Sequence, residues 1–155
     1  MPERTLLPLS FLPNMLPVLD GVYVHAYAPV AKPVLPGPYR ALIDTGSSHS
    51  WVKPAIGDNL RSHSLEGYVV DRGNNEEEEV LVDVKTGFLK GLSGNPRKGW
   101  IQLEPNLPAI DLLLLSGDFE APVDLVLGMD LMLSFVQCAV LVRGLQFKPT
   151  LVIEY

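Results

Sequence analysis

The residues best suited to chemistry lie in one short stretch, residues 41–48. Residues 41–43 (Ala-Leu-Ile) are apolar and lead directly to Asp44. The residues that follow are small or carry hydroxyl groups: Thr45, Gly46, Ser47 and Ser48. An apolar run that meets a glycine turn is typical of a buried strand, here ending at Asp44. An ionised carboxylate without partners is costly to bury, so a functional role for Asp44 is favoured over an Asp that only caps a turn.

The overall composition limits the kinds of partner. With 155 residues and a 47% hydrophobic content, the chain has the size of one domain and enough apolar material for a core. Its net charge of −6 argues against nucleic acid and anionic membranes as partners, since both bind basic surfaces. The single cysteine, Cys138, excludes an intrachain disulfide and a cysteine-based metal site. We expect neither a metal nor another cofactor.

The sequence has no recognisable membrane span or signal peptide. Its longest apolar run, residues 112–115, is far shorter than the roughly 18 residues that a membrane helix needs. At the N-terminus, a Glu stands beside an Arg and prolines interrupt the apolar residues, unlike a signal peptide. The sequence therefore predicts a soluble cytoplasmic protein.

Short apolar and β-branched runs separated by Gly and Pro predict an all-β barrel or sandwich. The predicted strands are residues 21–27, 39–43, 50–52, 66–70, 80–84, 100–103, 110–115, 123–127, 136–142, 145–147 and 151–155. Residues 129–135 contain the best run of helix formers and predict one short helix, and residues 54–60 predict a turn with a helical segment. Prolines punctuate residues 1–20, which we interpret as an extended N-terminal arm before a domain at residues 21–155.

The clearest hairpin signal lies between residues 66–70 and residues 80–84. The segment after the first run holds residues that tolerate tight turns: Asp71, Arg72, Gly73, Asn74 and Asn75. The four glutamates at 76–79 are interpreted as a solvated face, since successive side chains of a strand point to opposite faces.

Two motifs together resemble the retropepsin-like aspartic proteases, the single-domain relatives of pepsin. In that family a hydrophobic strand leads to Asp-Thr/Ser-Gly, and a later hydrophobic-hydrophobic-Gly strand crosses behind the turn. The matching residues are Leu42, Ile43, Asp44, Thr45 and Gly46 in the first motif and Val126, Leu127 and Gly128 in the second. The resemblance spans residues 21–155 and implies a closed all-β barrel that carries a flap hairpin.

The resemblance also implies an activity, that of an aspartic endopeptidase acting on peptide or protein substrates. The chain contains one Asp-Thr-Gly, so two copies must meet on a two-fold axis, where Asp44 faces its own copy. Two adjacent carboxylates share one proton, which makes one a base that activates water and the other an acid. The family resemblance further implies that Thr45 hydrogen-bonds across the dyad, that the Gly46 N–H points toward the carboxylates, and that Ser48 is a supporting hydroxyl.

The sequence departs from the viral members at Ser47, where they usually carry Ala. Ser47 and Ser48, followed by Trp51 and Val52, are closer to the pepsin-type turn. The flap has two candidates, the hairpin of residues 66–84 with its tip at residues 71–75 and the segment of residues 88–100. In the family, terminal strands form the dimer interface, which makes the N-terminal arm and residues 151–155 the candidates here.

Three functions are compatible with these patterns. The first is the homodimeric endopeptidase, and the second is a retropepsin-like module that dimerises or binds protein with little or no proteolysis. The third is an unrelated small β-barrel in which Asp-Thr-Gly is a plain turn. The third predicts that Gly128 lies far from Asp44, whereas proteolytic activity separates the first two.

Overall fold

The computed structural model describes residues 2–27, 36–63, 65–71, 77–83, 89–90, 94–144 and 146–155; between residues 65 and 90 it describes strand pairing only. The strands are β1 (Arg4–Pro8), β2 (Ser10–Phe11), β3 (Pro17–His25), β4 (Tyr39–Ile43), β5 (Ser50–Val52), β6 (Arg61–Ser62), β7 (Leu65–Asp71), β8 (Glu77–Asp83), β9 (Leu89–Lys90), β10 (Asn95–Gln102), β11 (Ile110–Ser116), β12 (Leu125–Leu127), β13 (Gln137–Leu141) and β14 (Thr150–Glu154). The helices are α1 (Pro54–Gly57) and α2 (Met129–Met132). None of the described helices has the length and apolar character needed to cross a membrane.

Six strands close into a barrel in the order β3-β4-β12-β5-β11-β10, because β10 also pairs with β3. β2 and β6 extend this sheet at β3 and β10. The interior is filled by apolar side chains that are almost completely buried, among them Val22, Ala41, Val52, Ile101, Leu114, Leu125 and Leu127. Closure removes exposed strand edges from the barrel, which protects it from pairing with other chains. The predicted all-β barrel with short helices is confirmed.

β3 bends, which allows its two halves to pair with different strands. Its first half pairs with β4 and its second half with β10, and the register shifts between Leu19 and Val22. Gly21 lies in this bulge at φ +83°, a backbone conformation that glycine adopts without a steric cost. Val22 and Val24 point into the core while Tyr23 is partly exposed, which is the alternation expected of this strand.

A separate three-stranded sheet joins the two terminal segments in the order β1-β14-β13. Leu7, Leu151 and Ile153 lie on its buried face and belong to the same core as the barrel. The proline-punctuated N-terminal segment thus contributes strands, and β3 runs across the proposed boundary at residue 20. Because β14 has a strand on each side, it offers no free backbone edge to a partner chain.

The end of the chain differs from the predicted elements in two places. The helix predicted over residues 129–135 ends at Met132, since the Val136 N–H donates to the Glu154 carbonyl at 2.8 Å and begins the pairing with β14. The strand predicted over residues 145–147 is wrong for its last two residues. Gln146 and Phe147 form a turn, closed by the Phe147 N–H donating to the Gly144 carbonyl, and residue 145 lies outside the described residues.

β7 and β8 pair antiparallel along their whole length, from Leu65 opposite Asp83 to Asp71 opposite Glu77. This is the hairpin predicted over residues 66–84, and its proposed tip residues 72–75 lie outside the described residues. The described strands of the competing segment, residues 88–100, do not form a hairpin with each other. β9 pairs with β8, whereas β10 pairs with β11.

Candidate active site

Asp44 directly follows β4, whose last three residues are buried, and is itself half-buried. β12 runs parallel to β4 on one side and antiparallel to β5 on the other, so it lies between the two strands that flank the turn. The Asp44 N–H donates to the Leu127 carbonyl at 2.9 Å, which continues the β4–β12 pairing by one residue. The backbone of Asp44 is therefore fixed by the barrel wall.

Backbone groups of the turn also hold the carboxylate. The Gly46 N–H donates to Oδ1 of Asp44 at 2.9 Å, and the Ser47 N–H donates to the Asp44 carbonyl at 3.2 Å. Thr45 and Ser48 are exposed, whereas Ser47 is half-buried and its hydroxyl donates to the His49 carbonyl at 2.6 Å.

Gly128 supports the turn from behind. A Cβ at this position would lie 2.6 Å from the Ser47 carbonyl oxygen and 2.5 Å from that of His49, so only glycine fits without a backbone shift. The next residue extends the contact, because the Met129 N–H donates to the Ser47 carbonyl at 2.8 Å. The segment Val126–Gly128 thus packs directly against the Asp-Thr-Gly turn, which contradicts the unrelated-barrel alternative.

Ser50 and Asp130 form a clamp beside the turn. The Ser50 hydroxyl is fully buried; it accepts the Gly128 N–H at 3.0 Å and donates to Oδ1 of Asp130 at 2.7 Å. The Ser50 N–H donates to Oδ2 of the same carboxylate at 3.0 Å. Asp130 also accepts the Leu131 N–H in the first turn of α2. One carboxylate therefore ties the start of β5 to the start of α2.

The structure thus brings together the residues predicted from the two motifs: Asp44, Thr45, Gly46, Ser47 and Ser48 with Val126, Leu127 and Gly128. Of the flap candidates, Asp71 is the last residue of β7, and Arg72, Gly73, Asn74 and Asn75 lie outside the described residues.

The clamp between Ser50 and Asp130 was missed by the sequence reasoning. A serine at the head of an apolar strand and an aspartate at a helix start are each common, and no local signal links positions 80 residues apart.

A half-buried carboxylate in a fixed position can act as a general acid or base. The sequence contains one Asp-Thr-Gly. In the described part of the chain, no group of three or more His, Cys, Asp or Glu side chains is placed to hold a metal ion.

Comparison with known proteins agrees with this geometry at the level of the fold. No protein-family model matches the chain, and no curated protein matches it. A solved structure, that of a retropepsin-like aspartic protease from Rickettsia conorii, superposes with a TM-score of 0.52 at 12% sequence identity. The superposition covers 100% of this chain and 94% of that one. The chain therefore has the retropepsin-like fold, with its Asp-Thr-Gly turn packed against the strand and glycine that cross behind it.

Proposed function

We propose that this chain is an aspartic endopeptidase that works as a homodimer, with one catalytic carboxylate, Asp44, from each copy. The observation that carries the proposal is the rigid placement of Asp44 at the end of β4, with β12 behind it and the Gly46 N–H on its carboxylate. The fold shared with an aspartic protease supports the same reaction class, although fold alone does not determine activity.

In the proposed dimer the two Asp44 carboxylates lie side by side and share one proton, because ionising both at short range is unfavourable. The ionised carboxylate accepts a proton from a water molecule, and the resulting nucleophile attacks the peptide carbonyl. The protonated carboxyl group hydrogen-bonds the developing oxyanion, and a proton then passes to the leaving amine. The Gly46 N–H on Oδ1 helps to hold each carboxylate in place.

The substrate in this proposal is an extended peptide or an unfolded protein segment. The hairpin of β7 and β8 would cover it as the flap, with Asp71 and the residues after it at the tip. This hairpin is preferred to residues 88–100 because β10 is committed to the barrel through β11 and β3.

The decisive experiment is the cleavage of an unfolded protein at mildly acid pH. Asp44→Asn keeps the size of the side chain and an oxygen for the Gly46 N–H but cannot serve as the base, so we expect turnover to fall roughly a thousandfold. A statine-type inhibitor should block the wild-type enzyme. Asp58→Asn is the matched control, since Asp58 is an exposed carboxylate at the end of α1, and this variant should cleave normally.

Two results would overturn the proposal. An Asp44→Asn variant with wild-type turnover would exclude the carboxylate mechanism. A dimeric wild-type protein that cleaves no unfolded substrate would favour the binding or dimerisation module instead.

A further inference from the structure

β13 is an edge strand without the usual protection. In the sheet order β1-β14-β13, the described part of the chain gives it a strand neighbour on one side only. It lies in Leu131–Val142, the longest stretch of the sequence with neither a charged residue nor a proline. Natural proteins usually shield an open edge with charges, prolines, bulges or a covering segment. The opposite edge has such features, because β1 carries Pro8 and Arg4, and Arg4 is paired with Glu154.

The same stretch exposes apolar side chains to solvent. Val136 is 66% exposed and Val142 58% exposed, on either side of β13. Leu133, Val140 and Leu141 are further large hydrophobic residues of this segment that remain exposed. Exposed apolar residues clustered around an unpaired strand edge indicate a surface that another chain covers.

We propose that β13 pairs antiparallel with the β13 of a second copy across a two-fold axis, which gives a six-stranded sheet with the order β1-β14-β13-β13′-β14′-β1′. This inference rests on the proposed function, because it names the surface through which two half-sites assemble. A two-fold axis sets a strand antiparallel to its own copy, so a charge near the middle of the strand would lie beside the same charge of the other copy. β13 is uncharged in a protein of net charge −6, and its self-pairing avoids that repulsion.

A register centred on Ala139, the middle residue of β13, brings Val142 of one copy opposite Val136 of the other. Val142 is part of a mainly apolar groove of about 380 Å³, which Phe11, Met15 and Phe147 also line. The partner subunit's Val136 would then reach the edge of this groove. Self-pairing therefore covers both the strand edge and the exposed residues beside it.

A disulfide cross-link tests the register directly. Residues directly opposite in an antiparallel pair have Cα atoms about 4.5–5.5 Å apart, which is within the range that a disulfide spans. In a Cys138→Ser background, Ala139→Cys should form a covalent dimer under mild oxidation. Leu6→Cys in the same background is the matched control, since Leu6 lies exposed on the opposite edge strand, and it should remain uncross-linked.

A charged side chain at position 139 tests the interface without a covalent cross-link. Ala139 is exposed within one chain, so Ala139→Lys should leave the fold and its circular dichroism spectrum unchanged. It sets two lysines against each other in the dimer, and we expect the dissociation constant from sedimentation equilibrium to rise roughly 100-fold. Leu6→Lys should leave that constant unchanged. A wild-type dissociation constant in Ala139→Lys, or a wild-type protein that stays monomeric, would overturn the inference.

The outcomes also separate this inference from the proposed function. Cross-linking through Ala139→Cys without any proteolysis would support the interface and reject the endopeptidase. Proteolysis that depends on Asp44, in a dimer unaffected by either change at Ala139, would reject the interface and retain the enzyme.

Discussion

At the scale of single residues, Asp44 is held by the backbone. Its N–H is bonded to the Leu127 carbonyl and its Oδ1 to the Gly46 N–H. Its neighbours Thr45 and Ser48 are exposed in the single chain. Asparagine keeps the oxygen that accepts the Gly46 N–H, so Asp44→Asn would remove the proposed acid–base function with little change in the local fold. Asp44→Asn therefore reports on chemistry, whereas changes at the residues that support the turn report on stability.

Ser50→Ala is predicted to destabilise the protein by about 1–3 kcal/mol, because it leaves the buried Gly128 N–H without its acceptor. It also removes a hydroxyl that donates to Asp130. The measurement is the free energy of unfolding in urea. Ser134→Ala is the matched control: its hydroxyl donates to the Asp130 carbonyl at an exposed position, and its loss should change stability by about 0.5 kcal/mol or less. Equal effects of the two substitutions would contradict the buried clamp.

The raised pKa of Tyr27 predicts that the stability of the fold depends on pH in the alkaline range. Burial, followed by the neighbouring Asp111 carboxylate, raises the pKa of Tyr27 from 10.0 to about 12. The folded state then holds the phenol proton more tightly than the unfolded state. The resulting stabilisation is complete below pH 10 and is lost as the pH rises through 12. Urea unfolding across this range should show a steeper loss of stability for the wild type than for Tyr27→Phe, and parallel curves would contradict it.

At the scale of elements, the site depends on β12 lying between β4 and β5. Two of these strands, β4 and β12, were predictable from local patterns. The apolar run before Asp44 and the Val-Leu-Gly of residues 126–128 each predict a buried strand that ends at a turn. Their parallel register, Leu127 beside Ile43, joins segments more than 80 residues apart and has no local signal. The family resemblance predicted that the second strand crosses behind the turn but gave no register, and the contact between Ser50 and Asp130 had no such guide.

Gly128→Ala is predicted to break this crossing. The new Cβ would meet two backbone oxygens, those of Ser47 and His49, and neither can rotate away, so we expect a loss of about 3 kcal/mol in the free energy of unfolding. Gly99→Ala is the matched control. Its Cβ would lie 3.2 Å and 3.3 Å from the methyl ends of Leu114 and Leu60, which can shift, and about 1 kcal/mol or less is expected.

Activity gives a second measure of the same crossing. If the proposed function holds, a Gly128→Ala protein that remains folded should lose turnover, because the turn carrying Asp44 is displaced. Gly99→Ala should cleave as the wild type does. A stable and fully active Gly128→Ala variant would show that β12 does not set the position of the turn.

At the scale of the whole molecule, short apolar runs separated by Gly and Pro predicted an all-β barrel or sandwich, and the family resemblance implied the closed barrel. The association of the two ends was not predicted. The pairing of β1 with β14 closes a loop of almost the entire chain, and such long-range contacts leave no periodic signal. The family resemblance made the N-terminal arm and residues 151–155 the candidates for a dimer interface. In the described part of the chain, β14 has a strand on each side and β13 has a strand on one side.

Subunit mixing tests the half-site at this scale. In an equimolar mixture of wild type and Asp44→Asn, random pairing puts half of the wild-type chains into mixed dimers with one carboxylate each. A fixed amount of wild type should therefore keep about half of its cleavage activity. Wild type mixed with Asp58→Asn is the matched control and should lose no activity, because both chains then carry Asp44. Full activity in the first mixture would mean that a wild-type chain stays active when it is paired with an Asp44→Asn chain. One chain would then hold a complete site.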